Sequence, residues 1–406
     1  MKKITALAFL LLMLSAGTMT QQRMIPDDPF FRYQVSYDNE GGRVVIDMTS
    51  RKRSPVELQL QPGIHLQMTR AWAITTGSRT TVIALLDDGF FYNHEDVREN
   101  IWHNKGEIGL DESGYPRATN GIDDDGNGYV DDVIGWDFVF DDPDPDCYIF
   151  DGKLTDRIAP YWHSIDALGI IGARGNNGLG VAGINWEVSL MLLKCAAQGD
   201  TGRDRAERTA RAIRYAADNG ARAINWSGFV REDHPEKLAL LKEAIDYAGS
   251  KGVLLIVGAG NDALDIDLEE NRFYPACFDC DNIIVVAEVD FDGTLYKVPE
   301  GSKYIGGSNY GAQNVDIAAL AQNYTTQLKD NCSTYGLGGG TSDSTPVVTG
   351  VAALVFSLRP DLSGPQVKEI LMRSATKLPA LEGKVKSAGM VNAWEALKLA
   401  AEYSRQ

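Results

Sequence analysis

Basic side chains are scarce in this sequence. Its 406 residues include 39 Lys and Arg against 56 Asp and Glu, which gives a formal net charge of −17 at pH 7. A chain with this balance is repelled by phosphate backbones and anionic headgroups, so nucleic acid and anionic membrane surfaces are excluded as its main partners. The same charge is compatible with bound cations.

Long apolar runs are also missing, apart from one at the N-terminus. The run from Ile4 to Leu14 follows two lysines and precedes small residues. It is shorter than the about 20 residues that a membrane-spanning helix needs, and the whole pattern is that of a secretory signal peptide. We therefore predict a signal peptide at residues 1–20, export to the periplasm or the extracellular space, and a mature chain without a membrane anchor.

Cysteine and histidine are rare, with five of each. The odd number of cysteines leaves at least one thiol unpaired within the chain. Cys277 and Cys280 form a single C-x-x-C, which supports zinc or redox chemistry poorly and favours a local disulfide or two free thiols. The few histidines limit the candidates for a catalytic base to His65, His94, His103, His163 and His234.

A regular alternation of apolar runs and helical patterns begins at Thr81. Continuous apolar runs are typical of strands buried on both faces, and they lie at 82–86, 188–193, 223–225, 253–257 and 283–287. Helical patterns lie between and after them, at 203–219, 236–250, 347–358, 364–374 and 391–403. This alternation predicts a three-layer α/β fold, with a mainly parallel central sheet and helices on both faces.

Residues 104–160 interrupt the alternation. They are rich in Asp and Gly, which indicates a long loop insertion. We therefore divide the chain into a signal peptide (1–20), an N-terminal segment (21–80) and a main domain (81–406) that carries this acidic insertion. We expect the mature protein to be a monomer.

Within the insertion, oxygen-bearing side chains alternate and are followed by glycines, in a D-x-D-x-N-G pattern. Such spacing curls oxygen atoms around a hard cation such as Ca²⁺. The glutamate that usually closes the loop is replaced by Ile134, so Asp131 or Asp132 has to compensate. We predict a calcium site, with a solvated acidic loop as the alternative. The candidate ligands are Asp123, Asp125, Asn127, Tyr129 and Asp131.

Three polar residues stand where doubly wound sheets place their functional groups. Asp87 ends the first buried strand, Asn261 follows the strand at 253–257, and Ser342 precedes an apolar helical run. Catalytic groups in such folds gather at the carboxyl ends of strands. An Asn side chain can donate to an oxyanion, and a Ser at a helix N-terminus gains backbone N–H groups. Taken singly, each residue is equally typical of a turn or a helix cap.

Together these positions resemble a known family. The ordered blocks are LDDG (86–89), GIIGARGNN and GVAG (169–183), GN (260–261) and GTSDSTPVVTG (340–350). They are similar to the motifs of the subtilases, the subtilisin-like serine proteases, and the similarity runs from about Pro26 to Leu399. The resemblance implies a triad containing Asp87 and Ser342, an oxyanion donor at Asn261, and a polypeptide substrate or protein ligand.

The histidine block departs from the family pattern H-G-T-H-V-A-G. A gap-free count back from Gly169 gives HSIDALG, so by this resemblance Asp166 takes the place of the catalytic histidine and faces Asp87, and His163 takes that of the first, non-catalytic histidine. A carboxylate of reference pKa about 3.9 is a poor substitute for imidazole at about 6.5, and two facing carboxylates would titrate as a coupled pair. His163 could serve as the base only if the start of the helix were shifted by three residues.

Two further departures point the same way. Asp343 and Ser344 follow the nucleophile where the family usually has Met-Ala, and the substrate-binding Ser-x-Gly reads Ser227-Gly228-Phe229. The sequence therefore predicts an exported, catalytically impaired subtilisin-like protein that binds peptides or proteins. The alternative is an active serine endopeptidase with Ser342 as nucleophile. Its strongest form is an acidic Ser–carboxylate mechanism resembling that of the sedolisins, although that branch uses Glu as the base.

Overall fold

The computed structural model describes residues 22–46, 55–147, 149–150, 157–158, 163–196, 205–230, 235–299, 306–329 and 332–404. The predicted signal peptide lies outside these ranges. Of the helices within them, none combines the length and the apolar character needed to cross a bilayer.

The strands are β1 (Gly42–Ile46), β2 (Val56–Leu60), β3 (Gly77–Asp87), β4 (Gly135–Asp137), β5 (Ile149–Phe150), β6 (Arg157–Ile158), β7 (Glu187–Lys194), β8 (Ala223–Trp226), β9 (Leu254–Gly258), β10 (Ile283–Val289), β11 (Ile317–Leu320), β12 (Tyr324–Lys329), β13 (Cys332–Leu337), β14 (Thr376–Lys377) and β15 (Gly389–Met390). The helices are α1 (Met68–Ala71), α2 (His163–Gly172), α3 (Arg205–Asp218), α4 (Pro235–Ser250), α5 (Thr341–Leu358), α6 (Gly364–Arg373) and α7 (Ala393–Glu402).

A nine-stranded sheet forms the centre of the molecule, in the order β14-β15-β11-β10-β9-β8-β3-β7-β4. All neighbouring pairs are parallel except β14 with β15. The five apolar runs of the sequence coincide with β3, β7, β8, β9 and β10. The prediction of a three-layer fold with a mainly parallel sheet is confirmed.

Helix α5 runs through the middle of the protein and contacts α2 and the strands β3 and β8–β11. Every residue from Asp343 to Phe356 is buried. A helix that is apolar on all sides can only be stable inside a core. The sequence pattern placed the start of this helix at residue 347, whereas it begins at Thr341.

The N-terminal segment packs against the same core as the main domain, with Tyr37 and Ile46 fully buried. Its attachment is specific, because Gln34 donates to the Ala182 carbonyl at 2.8 Å and accepts from the Ala182 N–H at 2.9 Å. Asp28 adds a hydrogen bond from the Asn176 N–H at 2.7 Å. The segment is thus fastened to the loop that follows α2.

All five cysteines are free thiols. The Cys277 thiol points to the Ile266 carbonyl at 3.6 Å, and the Cys280 thiol contacts a carboxylate oxygen of Asp246 at 3.4 Å. Of the two predictions made for the C-x-x-C, the structure has the pair of free thiols.

Candidate active site

A cleft of about 610 Å³ opens at the carboxyl edge of the central sheet. Parallel strands end at this edge, and α2 and α5 begin there, so residues far apart in sequence converge. The lining includes Asp87 at the end of β3, Ser227 after β8, Asn261 after β9, Ser342 in the first turn of α5, and His163 at the start of α2.

His163 is bound directly to Asp87. Its Nδ1 lies 2.9 Å and 3.0 Å from the two carboxylate oxygens. The Asp87 side chain is 10% exposed and that of His163 is 31% exposed, so the carboxylate is inside the protein and the imidazole reaches the cleft. A buried carboxylate in this position fixes the orientation and tautomer of an imidazole.

The prediction that Asp166 faces Asp87 is wrong in its geometry, because His163 takes that place. Asp166 lies one turn further along α2, where the Gln327 side chain of β12 donates to its Oδ2 at 3.3 Å. The gap-free reading of the block gave the correct helix, but the residue at its first position, rather than the fourth, points at β3. The helix starts at His163, three residues before the position that was expected to act.

Asn261 is held by the start of α5. Its Oδ1 accepts hydrogen bonds from the Thr341 N–H at 2.8 Å and from the Thr341 hydroxyl at 3.0 Å. Since the amide oxygen is turned toward α5, the Nδ2 hydrogens are directed away from the helix and toward the cleft. Gly260 makes the turn before it at φ +95°, and a Cβ there would lie 2.5 Å from the Asn309 amide nitrogen.

Ser342 is anchored through its own backbone. Pro346 has no N–H to donate to the carbonyl four residues earlier, so the Ser342 carbonyl lacks its helical partner. The Ser227 hydroxyl donates to this carbonyl instead, at 2.8 Å. Pro346 therefore leaves this carbonyl free for the hydrogen bond that ties Ser342 to the segment after β8.

The charges of Asp87 and His163 stabilise each other. Burial disfavours ionisation of Asp87, but the charge of His163 and its hydrogen bond outweigh burial and lower the pKa of Asp87. Burial likewise disfavours the imidazolium, and the carboxylates of Asp87, Asp88 and Asp343 overcome it and raise the pKa of His163. Burial and the charge of Asp87 raise the pKa of the neighbouring Asp88 to about 8.

Asp343, which follows the nucleophile, is buried at 3% exposure. Burial and the nearby charge of Asp166 raise the pKa of Asp343 well above its usual range. Burial also raises the pKa of Glu288 to about 8, and this residue accepts from the Gly340 N–H at 3.3 Å. The sequence suggested an anion beside Ser342, and these surroundings favour a neutral carboxylic acid there.

The other candidate positions are placed as follows. Ser227, Gly228 and Phe229 all line the cleft, so the segment expected to bind substrate is present although its glycine is displaced. His94 is buried, and its Nε2 lies 3.1 Å from the Thr334 carbonyl, so it contacts the backbone of β13. His65 pairs with Asp38 away from the cleft.

The acidic insertion brings together Asp123, Asp125 and Glu107, whose carboxylate oxygens lie within 4.8 Å of one another. Glu107 is fully buried, and its Oε2 has no hydrogen-bond partner among the described residues. An orphaned buried carboxylate oxygen beside two others fits a hard cation. Asn127 and Asp131, predicted as ligands, accept from the Tyr129 and Gly121 N–H groups within the loop.

Four residues of these sites were missed from the sequence: Thr341, Glu288, Glu107 and Arg205. Glu288 lies on β10, and the rule that functional groups follow parallel strands could have found it. Thr341 stands beside the nucleophile within the quoted block. No sequence signal connects Glu107 with a loop that begins 16 residues later, or Arg205 with the cleft.

Comparison with known proteins agrees with this geometry. The subtilase family model matches residues 78–390. Subtilisin-like protease 1 of Plasmodium vivax is 32% identical over 335 residues, which cover 79% of this chain and 48% of that protein. The halolysin-like extracellular serine protease Nep of Natrialba magadii is 30% identical over 76% of this chain and 46% of its own length. The chain thus spans about half the length of these curated relatives.

Solved structures include a similar protease from Pseudoalteromonas arctica. It is 25% identical, has a TM-score of 0.62, and is matched over 99% of its length and 92% of this chain. Fervidolysin from Fervidobacterium pennivorans, at 20% identity and a TM-score of 0.56, shares the fold. The family match covers most of the chain and includes every residue of the cleft described above, and on these grounds the chain belongs to the subtilase family of serine proteases.

Proposed function

We propose that this protein is an active serine endopeptidase whose catalytic triad is Asp87, His163 and Ser342. The observation that carries the proposal is the pair of contacts between His163 Nδ1 and the Asp87 carboxylate. The expectation of an impaired enzyme rested on a carboxylate at this place, and an imidazole stands there instead.

The chemistry follows from the roles of the three side chains. His163 takes the Ser342 proton as the hydroxyl attacks the carbonyl, and returns it to the leaving amine. Asp87 holds the imidazole through Nδ1, which leaves Nε2 for proton transfer. Asn261 Nδ2 donates to the oxyanion, and the loss of this donor in subtilisin itself lowers kcat about 10²- to 10³-fold.

The first test compares three single variants in a casein assay from pH 4 to 10. Ser342→Ala and His163→Ala are expected to lose activity, roughly a million-fold in kcat if this triad behaves as in subtilisin. Asp166→Asn is expected to retain most of it, because Asp166 does not touch Asp87. Activity that survives His163→Ala but not Asp166→Asn would reverse the assignment.

The pH profile separates the two serine mechanisms. Only neutral His163 can accept a proton, and its pKa is raised, so the rate is expected to increase as pH rises above neutrality. A Ser–carboxylate mechanism predicts the opposite, with activity growing on acidification.

A peptide-binding protein without activity is the second candidate, and the buried acid Asp343 next to Ser342, with the charge of Asp166 near it, favours this candidate. It would be supported by the absence of serine-dependent hydrolysis at every pH, together with no labelling of Ser342 by a serine-reactive phosphonate. Labelling of Ser342 that returns in Asp343→Ala would show that the acid next to Ser342 prevents its reaction.

We further propose that Glu107, Asp123 and Asp125 hold Ca²⁺, which would stabilise the acidic insertion and take no part in the reaction. The signal-peptide pattern at residues 1–20 supports export, as does the description of one relative as extracellular. We propose that the exported protein acts on polypeptides as a monomer.

A further inference from the structure

Helix α3 carries a row of arginines at three-residue spacing, and the first of them, Arg205, reaches the cleft. The other three have partners. Arg208 donates to the Cys195 carbonyl at 3.2 Å, Arg211 pairs with Asp141 at 2.8 Å, and Arg214 pairs with Glu243 at 3.0 Å. Arg205 is thus the member of the row that lines the cleft.

Arg205 has polar atoms that are not satisfied within the described residues. Its Nε is buried and makes no hydrogen bond there. No described carboxylate oxygen lies within the 4.0 Å of an ion pair from its guanidinium nitrogens. A buried donor without a partner is destabilising.

The guanidinium lies beside the segment expected to bind substrate. A Cβ on Gly228 would be 3.2 Å from Arg205 Nη2 and 2.4 Å from Trp226 Nε1. A glycine at this place therefore leaves space next to Nη2, and any larger residue would collide with Trp226. The displaced glycine, which the sequence suggested as a defect, makes room for Arg205 at the wall of the cleft.

The distance between the Arg205 guanidinium and Ser342 can be estimated from the residues that connect them. Ser227 donates to the Ser342 carbonyl, and Gly228 is the next residue. With consecutive Cα atoms about 3.8 Å apart, the guanidinium is on the order of 10 Å from Ser342. An extended peptide advances about 3.3 Å per residue, so a group of the substrate that reaches Arg205 belongs to a residue within about three positions of the scissile bond.

We propose that Arg205 is an anchor for one carboxylate of the bound peptide, so that this site selects an acidic residue within about three positions of the bond that is cut. A guanidinium binds a carboxylate through two parallel N–H···O bonds, and Arg205 lines the cleft in which the peptide would lie. Asp262 and Glu270 also line the cleft. They would repel a peptide with several acidic residues, so the preference is for a single carboxylate. This inference rests on the proposed endopeptidase function.

The test uses binding, so that it does not depend on turnover. In the Ser342→Ala background, fluorescence anisotropy is measured with two pools of labelled, alanine-based decapeptides. Each peptide carries one Glu in the first pool and one Gln at the same place in the second. We expect the Glu pool to bind about tenfold more tightly at low salt, the effect of one charge-assisted hydrogen bond.

Three variants assign the preference to Arg205. Arg205→Gln is expected to make the two pools equal, and Arg205→Lys to keep a smaller preference, because it retains the charge but not the paired donors. Arg214→Gln, a matched change on the same helix away from the cleft, is expected to leave the preference unchanged.

Three outcomes would overturn the proposal: equal binding of the two pools, a Glu preference that survives Arg205→Gln, and no binding of either pool at millimolar concentration. Cleavage of casein by the wild-type protein without any preference for acidic residues would contradict the role of Arg205 but support the endopeptidase activity. Tighter binding of the Glu pool without any cleavage would support the role of Arg205 and contradict the endopeptidase activity.

Discussion

At the scale of single residues, the site is a set of carboxyl groups in different charge states. Asp87 is kept ionised by His163, whereas burial pushes Asp88, Asp343 and Glu288 toward the neutral form. The protein therefore has a charged acid beside the imidazole, and acids that favour the neutral form at Asp88, Asp343 and Glu288. The distinction is set by partner and burial, which residue type alone does not reveal.

Asp343→Asn tests the neutral state of this residue. The folded-state pKa of Asp343 is raised, so the folded protein holds this proton more tightly than the unfolded chain does. The stability of the wild-type protein then falls as pH rises from about 4, the unfolded pKa, toward the folded pKa. Asparagine cannot ionise, so the variant is expected to gain Tm over the wild type between pH 5 and pH 9. Asp281→Asn, an exposed change, should show no such gain.

The side chain expected to face Asp87 was the main error of the sequence-based prediction, and this error has a physical cause. Positions 163 and 166 are one turn apart, so both lie on the same side of α2. Which of them meets Asp87 depends on how the helix is docked. That is decided by contacts from a distant part of the chain, such as the Thr326 hydroxyl on the Ile165 carbonyl at 2.7 Å. Counting along one segment cannot supply this information.

At the scale of secondary structure elements, apolar periodicity located the central strands because they are buried on both faces. It failed at the start of α5, where residues 341–345 are polar and yet mostly buried. Their hydroxyls have backbone acceptors, since Thr345 donates to the Thr341 carbonyl at 2.7 Å and Ser344 donates to the Ala319 carbonyl of β11 at 3.0 Å. A polar stretch can therefore continue a buried helix, which a hydrophobicity pattern does not register.

Strands β4 and β7 are joined by a buried ion pair. Lys194 Nζ lies 2.7 Å from Asp137, and the two side chains are 2% and 1% exposed. Lys194→Met is expected to cost about 3–5 kcal/mol in the free energy of unfolding, because Asp137 would be left buried without its cation. The double variant Asp137→Asn/Lys194→Met should recover most of this loss in urea unfolding. If the double variant is no more stable than Lys194→Met, the loss of stability does not come from the unpaired charge of Asp137.

The acidic insertion is expected to respond to calcium. If Glu107, Asp123 and Asp125 bind Ca²⁺, the ion raises Tm by mass action on the folded state. The Tm measured with Ca²⁺ should be higher than the Tm measured with a chelator for the wild-type protein. This difference should be much smaller for Glu107→Gln. Glu112→Gln removes an exposed charge from the same insertion and is expected to leave the calcium effect intact. Equal responses of the two variants would argue against the site.

At the scale of the whole molecule, the N-terminal segment secures the loop after α2. Gln34 is 3% exposed and makes both of its hydrogen bonds with Ala182. Gln34→Ala leaves a buried donor and acceptor of the backbone unpaired, so we expect a loss of about 1–3 kcal/mol in the free energy of unfolding. Gln59→Ala, on the exposed face of β2, should change it little. If Gln34→Ala lowers the free energy of unfolding no more than Gln59→Ala does, the hydrogen bonds of Gln34 do not stabilise the attachment of the segment.

The placement of Asn261 has a consequence for the order in which the protein matures. Its amide is oriented by Thr341, 80 residues later in the chain, and Asp87 meets His163 across 76 residues. Contacts of such sequence separation form late. During synthesis the chain therefore passes most of its length without a nucleophile or a directed oxyanion donor. With the proposed triad, hydrolysis could begin only when α5 has been made and inserted into the core, so folding itself would delay the onset of proteolysis.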